Sequence, residues 1–469
     1  MYRMKPYGKV ECKKALDVKT SRLGIGFEKL DRDAFDPEKA YDKLGNIGVK
    51  WVRIQSGWQK TEKEKGVYDF AWLDSIVDNL ISRGLIPWIC VCYGNKIYGG
   101  MAEEYYGAVG CPPIHTEEQR TAWHNYCVAL AERYRGRVAH FEVWNEPNNL
   151  GCWKHGVSAT ELGEFTIATS KALREGNREC YVIGGAVSWI NVQYLNEAFK
   201  TGMADYIDAI SYHFYSFDDH KLRPNISALR GIINLYNPKL EIIQGESGAP
   251  SRPFGNGAMK DGAWTEKKQC KFLLRHLVTD IGMGAKFSSY FSCMDMKEAL
   301  MGRVDDKNSY KDFGYFGVLG AEFDEDGMAT GNYPPKPSYY ALSYLASLLE
   351  GDVESVELPI IVDLTHAPHL GSVRSLMYED GIESFGFRLS NGSHAFAYWH
   401  PSNYLTTDFE HAVTLICAVP GDIHLVDPMD GTIYEIPQEL VERDEFGGVR
   451  IRLLPIRDYP LFLVFGDIK

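Results

Sequence analysis

Two acidic residues stand where apolar runs come to an end. Glu146 sits in "FEVWNEPNN" (141–149) and Glu246 in "IIQGESG" (242–248). Packing seldom places a carboxylate there, because burial demands a partner or a raised pKa. Two carboxylates facing each other across a cleft are the equipment of glycoside hydrolysis. One gives a proton to the departing oxygen, so its pKa must be raised by burial or a like charge. The other stays ionised and attacks the anomeric carbon.

For these residues to meet, the runs they leave must open onto a common mouth. From residue 21 to about 350, short β-rich runs alternate with amphipathic helical stretches. The strand candidates are 22–28, 49–55, 86–93, 138–145, 180–187, 208–215, 240–246 and 285–291. Runs such as "IPWICV" are apolar throughout, which suits parallel strands buried on both faces. Between them, Asp36-Pro37 offers an N-cap followed by proline. Leu73, Ile76, Val77 and Leu80 recur at helical spacing, and Gly84 supplies a stop. Thr116 with Gln119, and Ser158 with Glu161, read as capping boxes. Eight strand-then-helix units predict a (β/α)₈ TIM barrel over residues 19–350. A doubly wound sheet would want a glycine-rich phosphate loop after the first strand, and "GIGFEKL" lacks the third glycine. Barrel sites form at the C-terminal ends of the strands. Glu146 ends the fourth strand and Glu246 the seventh, so both are expected to face the barrel axis.

Beyond residue 350 the helical periodicity stops. "SLMYE", "SFGFRL", "HAFAYWH", "AVTLICA", "IHLVD", "VRIRLL" and "LFLVFG" are short runs broken by Gly, Asn, Asp and Pro. They predict an antiparallel β-sandwich over 351–469, to which residues 1–18 could add strands. The glycine-rich stretch 297–335 is expected to form a loop near the barrel mouth.

Composition narrows the function classes. The 469 residues are 45% hydrophobic and 24% charged, an ordinary globular balance. A net charge of -13 argues against nucleic-acid binding. There is neither an HExxH pattern nor a Cys/His cluster at zinc spacing. No stretch approaches a membrane span, and the N-terminal residues lack the apolar core of a secretory signal. The 10 cysteines are scattered. Cys90 and Cys92 lie within an apolar strand, as buried free thiols in a reducing cytoplasm would. On that reading the sequons at Asn225 and Asn391 are chance matches.

The combination of "WNEPN" with a later "GES" resembles a clan of retaining glycoside hydrolases built on (β/α)₈ barrels, with catalytic glutamates on strands four and seven. The longer stretch "FEVWNEPNNLGCWKHGVSATELGEFTIATSKALRE" is similar to glycoside hydrolase family 39, the β-xylosidase and α-L-iduronidase family, which also carries a C-terminal β-sandwich. The resemblance implies that Glu146 is the general acid/base and Glu246 the nucleophile. It implies that Asn145 bonds the sugar 2-hydroxyl and that Arg53 keeps Glu246 ionised. His213 would lie near the acid/base, and Tyr215 would donate to the nucleophile. Neither a metal nor an organic cofactor is expected.

Aromatic rings near strand ends are natural sugar platforms. Trp58, Tyr93, Trp144, Trp189 and Trp264 are candidates, and Glu28 at the end of the first strand is a candidate hydroxyl acceptor. The expected partner is a carbohydrate, with no nucleic acid and no membrane; a homo-oligomer is compatible with the sequence. The reading is a retaining exo-glycosidase acting on short oligosaccharides or small glycosides. An endo-acting glycanase shares both glutamates and would differ in the loops 93–115 and 297–335. A non-catalytic carbohydrate-binding protein would typically have lost one of the two carboxylates.

Overall fold

Strands that are apolar on both faces cannot lie half exposed, and here they close on one another. In the computed structural model, which describes residues 4–363 and 381–468, they form a closed barrel of eight parallel strands. In chain order these are Leu23–Gly26, Trp51–Gln55, Ile86–Val91, His140–Val143, Tyr181–Val187, Ala209–His213, Glu241–Ser247 and Ser288–Tyr290. The last pairs with the first, Ser288 opposite Leu23. Each falls on the run expected for it, and only Glu241–Ser247 extends past, by one residue.

The helices follow their local signals. Ala71–Ser82 buries Leu73, Ile76, Val77 and Leu80 against the barrel, each contributing about 1.5–3 kcal/mol by burial. Gly84 then takes a left-handed φ of 75°. Thr116 and Gln119 close a complete capping box on Glu117–Arg133. Ser158 caps Ala159–Gly176 by accepting from the Glu161 amide. The Glu161 carboxylate, however, accepts from the Trp153 indole at 3.2 Å, so that box closes on one side only. Asp36 accepts from the Glu38 amide, but Pro37–Lys39 makes just a single 3₁₀ turn before Tyr41–Gly45.

The C-terminal strands form two antiparallel sheets. One has seven strands in the order Lys5–Lys9, Thr432–Glu435, Ile423–Asp427, Leu461–Phe465, His394–Trp399, Glu383–Arg388 and Glu354–Val356. The N-terminal segment thus joins the edge of this sheet, Lys5 opposite Glu435. The other sheet runs Ile360–Asp363, Glu410–Cys417, Val449–Arg457 and Val441–Arg443. The strand expected at 375–379 lies outside the described residues. Helix Glu266–Gly282 is enclosed between barrel and sheets. Its Gly282 faces Phe385, and Lys271 pairs with Asp458 at 2.5 Å. Among the described residues no helix is long and apolar enough to cross a membrane.

Candidate active site

The fourth strand ends at Val143 and the chain turns through left-handed positions at Trp144 (φ 66°) and Glu146 (φ 47°). Non-glycine residues adopt such angles at a cost of roughly 1–3 kcal/mol, and only where the surroundings hold them. Here the Glu146 amide donates to the Ala186 carbonyl of the fifth strand at 2.8 Å. This turn aims Glu146 across the barrel mouth instead of along its strand.

Glu246 reaches the same mouth through a different irregularity. Between the sixth and seventh strands the register slips, so that Tyr212 faces Gln244 while His213 faces Glu246. The residue passed over is Gly245. A Cβ there would lie 2.4 Å from Ser211 Oγ and 2.9 Å from Glu142 Oε1, so no side chain fits without displacement. The outcome is a tight group: one carboxylate oxygen of each glutamate and a His213 ring nitrogen all lie within 4.8 Å of one another. Among the described residues this trio is also the cluster spaced to hold a metal ion. His213 is already engaged there, its Nδ1 lying 3.0 Å from Glu146.

Arg53, from the middle of the second strand, organises the floor. Its Nε donates to Glu142 at 2.8 Å, one terminal nitrogen to Glu246 at 2.8 Å, and the other to the Asn145 side-chain Oδ1 at 2.8 Å. Glu28 stands 3.4 Å from the same guanidinium. With no exposure of its own, Arg53 would lose charge to burial; the surrounding carboxylates, Glu142 foremost, hold it well above its usual pKa.

The carboxylates respond unequally. Burial pushes Glu246 up, but the charges of His213 and Arg53 and a 2.7 Å hydrogen bond from Tyr215 outweigh it, leaving Glu246 below its ordinary range. Glu28 lacks that support. Burial raises it to about 7 against the pull of Arg53, and its second oxygen has no partner. His213 is fully buried, which lowers its pKa, yet Glu246 and the bond to Glu146 raise it overall. Asn145 is clamped at both ends, accepting from Arg53 and donating to the Tyr93 hydroxyl at 2.9 Å. Asn149 donates to Glu146 at 2.9 Å.

A cavity of about 320 Å³ opens over these groups. Glu28, Tyr93, Asn145, Glu146, Trp189, Tyr215 and Glu246 line it, while Arg53 and His213 sit directly beneath. Three of the five expected platforms, Trp58, Trp264 and Trp144, are elsewhere. Trp58 is buried among Tyr98, Trp123 and Tyr126, its indole nitrogen bonded to Glu62. Trp264 is buried against Phe272 and Tyr404, its indole donating to the Met259 carbonyl at 2.7 Å. Both are core residues. Trp144 is likewise buried, bonded to the Cys152 carbonyl. Cys90 and Cys92 are buried with their sulfurs 3.6 Å apart.

Several lining groups escaped the sequence reading: Lys29, Arg32, Gln55, Asn149 and Glu298, besides Glu142 below. Glu142 had a signal, because a charge between Phe141 and Val143 in a barrel strand must point inward. Lys29 bonds Glu298 at 3.2 Å across the cavity's buried end, and no local pattern joins residues so far apart in the chain. The 297–335 stretch does reach the mouth, where Glu298, Leu300 and Phe316 line the cavity.

Comparison with known proteins bears on the family and the fold. The family model for glycosyl hydrolases family 39 matches residues 38–366. A β-xylosidase of Geobacillus stearothermophilus is 26% identical over 225 residues, 42% of this chain and 42% of that protein. The β-galactosidase BbgII of Bifidobacterium bifidum is 26% identical over 141 residues, 25% of this chain and 19% of that protein. The matched stretches thus span less than half the length of these curated relatives. Among solved structures, a family 39 glycoside hydrolase from Bacteroides cellulosilyticus WH2 superposes with a TM-score of 0.64 at 17% identity, covering 95% of this chain and 80% of that one. A monomeric β-xylosidase from Caulobacter crescentus CB15 gives 0.57 at 15% identity, with 98% of both chains covered. At such identities these likenesses speak for the fold.

Proposed function

Because this chain belongs to the family 39 glycosyl hydrolases, we propose that it is a retaining, exo-acting O-glycosidase with β-xylosidase-like activity. The observation that carries the reading is the short gap between Glu146 and Glu246, whose oxygens approach within 4.8 Å. Retaining enzymes hold their carboxylates about 5–5.5 Å apart, whereas inverting ones leave roughly 6.5–9.5 Å for a water.

In this reading Glu246, kept ionised by Arg53 and His213, attacks the anomeric carbon and forms a glycosyl ester. Glu146 delivers its proton to the departing oxygen. It then takes a proton from water, whose oxygen displaces Glu246 and restores the original configuration. Asn145, fixed between Arg53 and Tyr93, presents its amide to the sugar 2-hydroxyl. That contact strengthens in the transition state. A cavity of about 320 Å³ ending on the buried residues Glu28, Lys29 and Glu298 favours a terminal sugar over a threaded chain. The ten free cysteines, nine of them buried, favour a reducing, cytoplasmic setting.

The test is a panel of p-nitrophenyl α- and β-glycosides with wild type and Glu246→Ala side by side. Release from one glycoside, lost in the variant and accompanied by retained configuration in the product, supports the reading and names the sugar. Inverted product, or equal release by the variant, would overturn it.

A further inference from the structure

The cavity changes character along its length. Its buried end is charged, with Glu28, Lys29, Arg32 and Glu298 each no more than 8% exposed. Its open end carries exposed apolar residues beside the polar Asn149 and Ser188. Trp189, on the cavity wall, is 58% exposed, and beyond it Leu150 is 63% and Met301 60% exposed. Scattered apolar residues on a surface mean little, but a contiguous patch marks a binding surface. These residues are held together. A methyl group on Gly151 would lie 3.7 Å from Leu300 Cβ and 3.9 Å from Met301 Sδ. Lys154 bridges the two loops, donating to the carbonyls of Gly151 (2.6 Å) and Leu300 (2.8 Å). On the other flank, the Ser188 amide bonds Asn148 at 2.8 Å, which sets Trp189 beside the same turn.

The position of this patch decides what it would touch. Leu150 lies in the turn that carries Glu146, and Asn149 of that turn bonds the Glu146 carboxylate. If Glu146 protonates the departing oxygen, the departing group lies on this side. Of the residues lining the cavity there, Trp189 and Leu300 are apolar and Asn149 and Ser188 polar, and Leu150 and Met301 are exposed chain neighbours of Asn149 and Leu300. Lys154, which joins Gly151 to Leu300 on this side, is spent on backbone carbonyls. A second sugar would need hydrogen-bond partners for several hydroxyls; Asn149 and Ser188, the polar lining residues here, already bond Glu146, Gly151 and Asn148, and each hydroxyl left unmet costs about 1–3 kcal/mol.

We propose that the open end of the cavity is an aglycone site for a flat or extended hydrocarbon group, and that the natural substrate is a small glycoside of an apolar alcohol or phenol. This rests on the functional reading above, which assigns Glu146 to the leaving group. The reaction is unchanged: the glycosidic C–O bond breaks, water supplies OH to the sugar, and the apolar alcohol leaves with the proton.

The experiment compares methyl and n-octyl glycosides, and the matching disaccharide, of whichever sugar the panel identifies. Methyl and octyl alcohols have similar leaving-group acidity, so a difference reports binding. The octyl glycoside should exceed both others in kcat/KM by at least tenfold. In the double variant Leu150→Ser/Met301→Ser that advantage should fall at least threefold, through KM for the octyl glycoside. A disaccharide turned over as well as the octyl glycoside would overturn the inference, as would an advantage untouched by the double variant. Should every glycoside remain intact, the enzymatic reading fails on its own. The patch is then tested by calorimetry with free 2-naphthol: binding weakened by the double variant supports an apolar ligand site, and no binding removes it.

Discussion

Arg53 and Glu246 meet at 2.8 Å although 193 residues separate them in the chain. The same guanidinium bonds Glu142 and Asn145, so a single side chain sets the charge of the proposed nucleophile and the orientation of its neighbour. Arg53→Lys keeps a cation but cannot span all three partners. We expect kcat/KM to fall about 10²-fold, as for small misplacements of catalytic groups. The acidic limb of the pH profile should move to higher pH, because Glu246 loses part of what holds it below its ordinary range. A limb that stays in place would separate Arg53 from control of Glu246.

Glu146 is supported by His213 at 3.0 Å and Asn149 at 2.9 Å, both from outside its own strand. As general acid it matters most when the leaving group is poor. Glu146→Ala should therefore cost roughly 10²–10⁴-fold on alkyl glycosides and far less on dinitrophenyl glycosides, whose leaving group needs no proton. Steady-state rates across a series of leaving groups check this. Equal losses at both ends would remove the acid/base role.

Away from the site, Asp280 is buried between the hydroxyls of Tyr212 and Ser288, at 2.5 and 2.7 Å. Burial lifts its carboxyl to about 7, and the two hydrogen bonds only partly oppose that. Between about pH 4 and pH 7 the folded protein thus holds a proton that the unfolded chain has released. Asp280 is most favourable at low pH, and stability falls as pH rises through that window, by at most about 1.4 kcal/mol per unit. Asp280→Asn should lose little at pH 8 and more at pH 5, read from urea midpoints at both. A difference independent of pH would mean that Asp280 is ionised throughout.

The two tryptophans Trp264 and Trp189 should part company. Trp264 has no exposure and fills space against Phe272 and Tyr404, so Trp264→Ala should cost about 3–5 kcal/mol in unfolding free energy. Trp189 stands on the cavity wall with 58% exposure. Trp189→Ala should leave Tm within about 2 °C, since surface changes stay near ±0.5 kcal/mol, and raise KM several-fold. Thermal melts and kinetics on the same two variants decide it.

Much of the architecture was legible because it is written locally. Alternation of apolar strands and amphipathic helices needs only neighbouring residues, and it placed all eight barrel strands and most sandwich strands. Glu146 and Glu246 were legible for the same reason: each is an acid at the end of its own apolar run. Trp58 and Trp264 mislead because an aromatic near a strand end has the same local pattern whether it turns toward the mouth or into the packing between strand and helix. The turn at Trp144 and Glu146 and the slip at Gly245 could not be read at all. Each is held by contacts to another strand, Ala186 in one case and His213 in the other.

By itself, then, the sequence determined the elements, their order and the two acids that end the fourth and seventh strands. Hydrophobic periodicity and strand-end chemistry act over a few residues, and these features need nothing more. Only the tertiary structure decided how close the two acids come, that Arg53 serves Glu142, Glu246 and Asn145 together, and that Trp189 and Leu300 line the same cavity. Those relations depend on barrel closure and on the paths of long loops, where charges and surfaces distant in the chain are brought within a few ångströms and removed from water together.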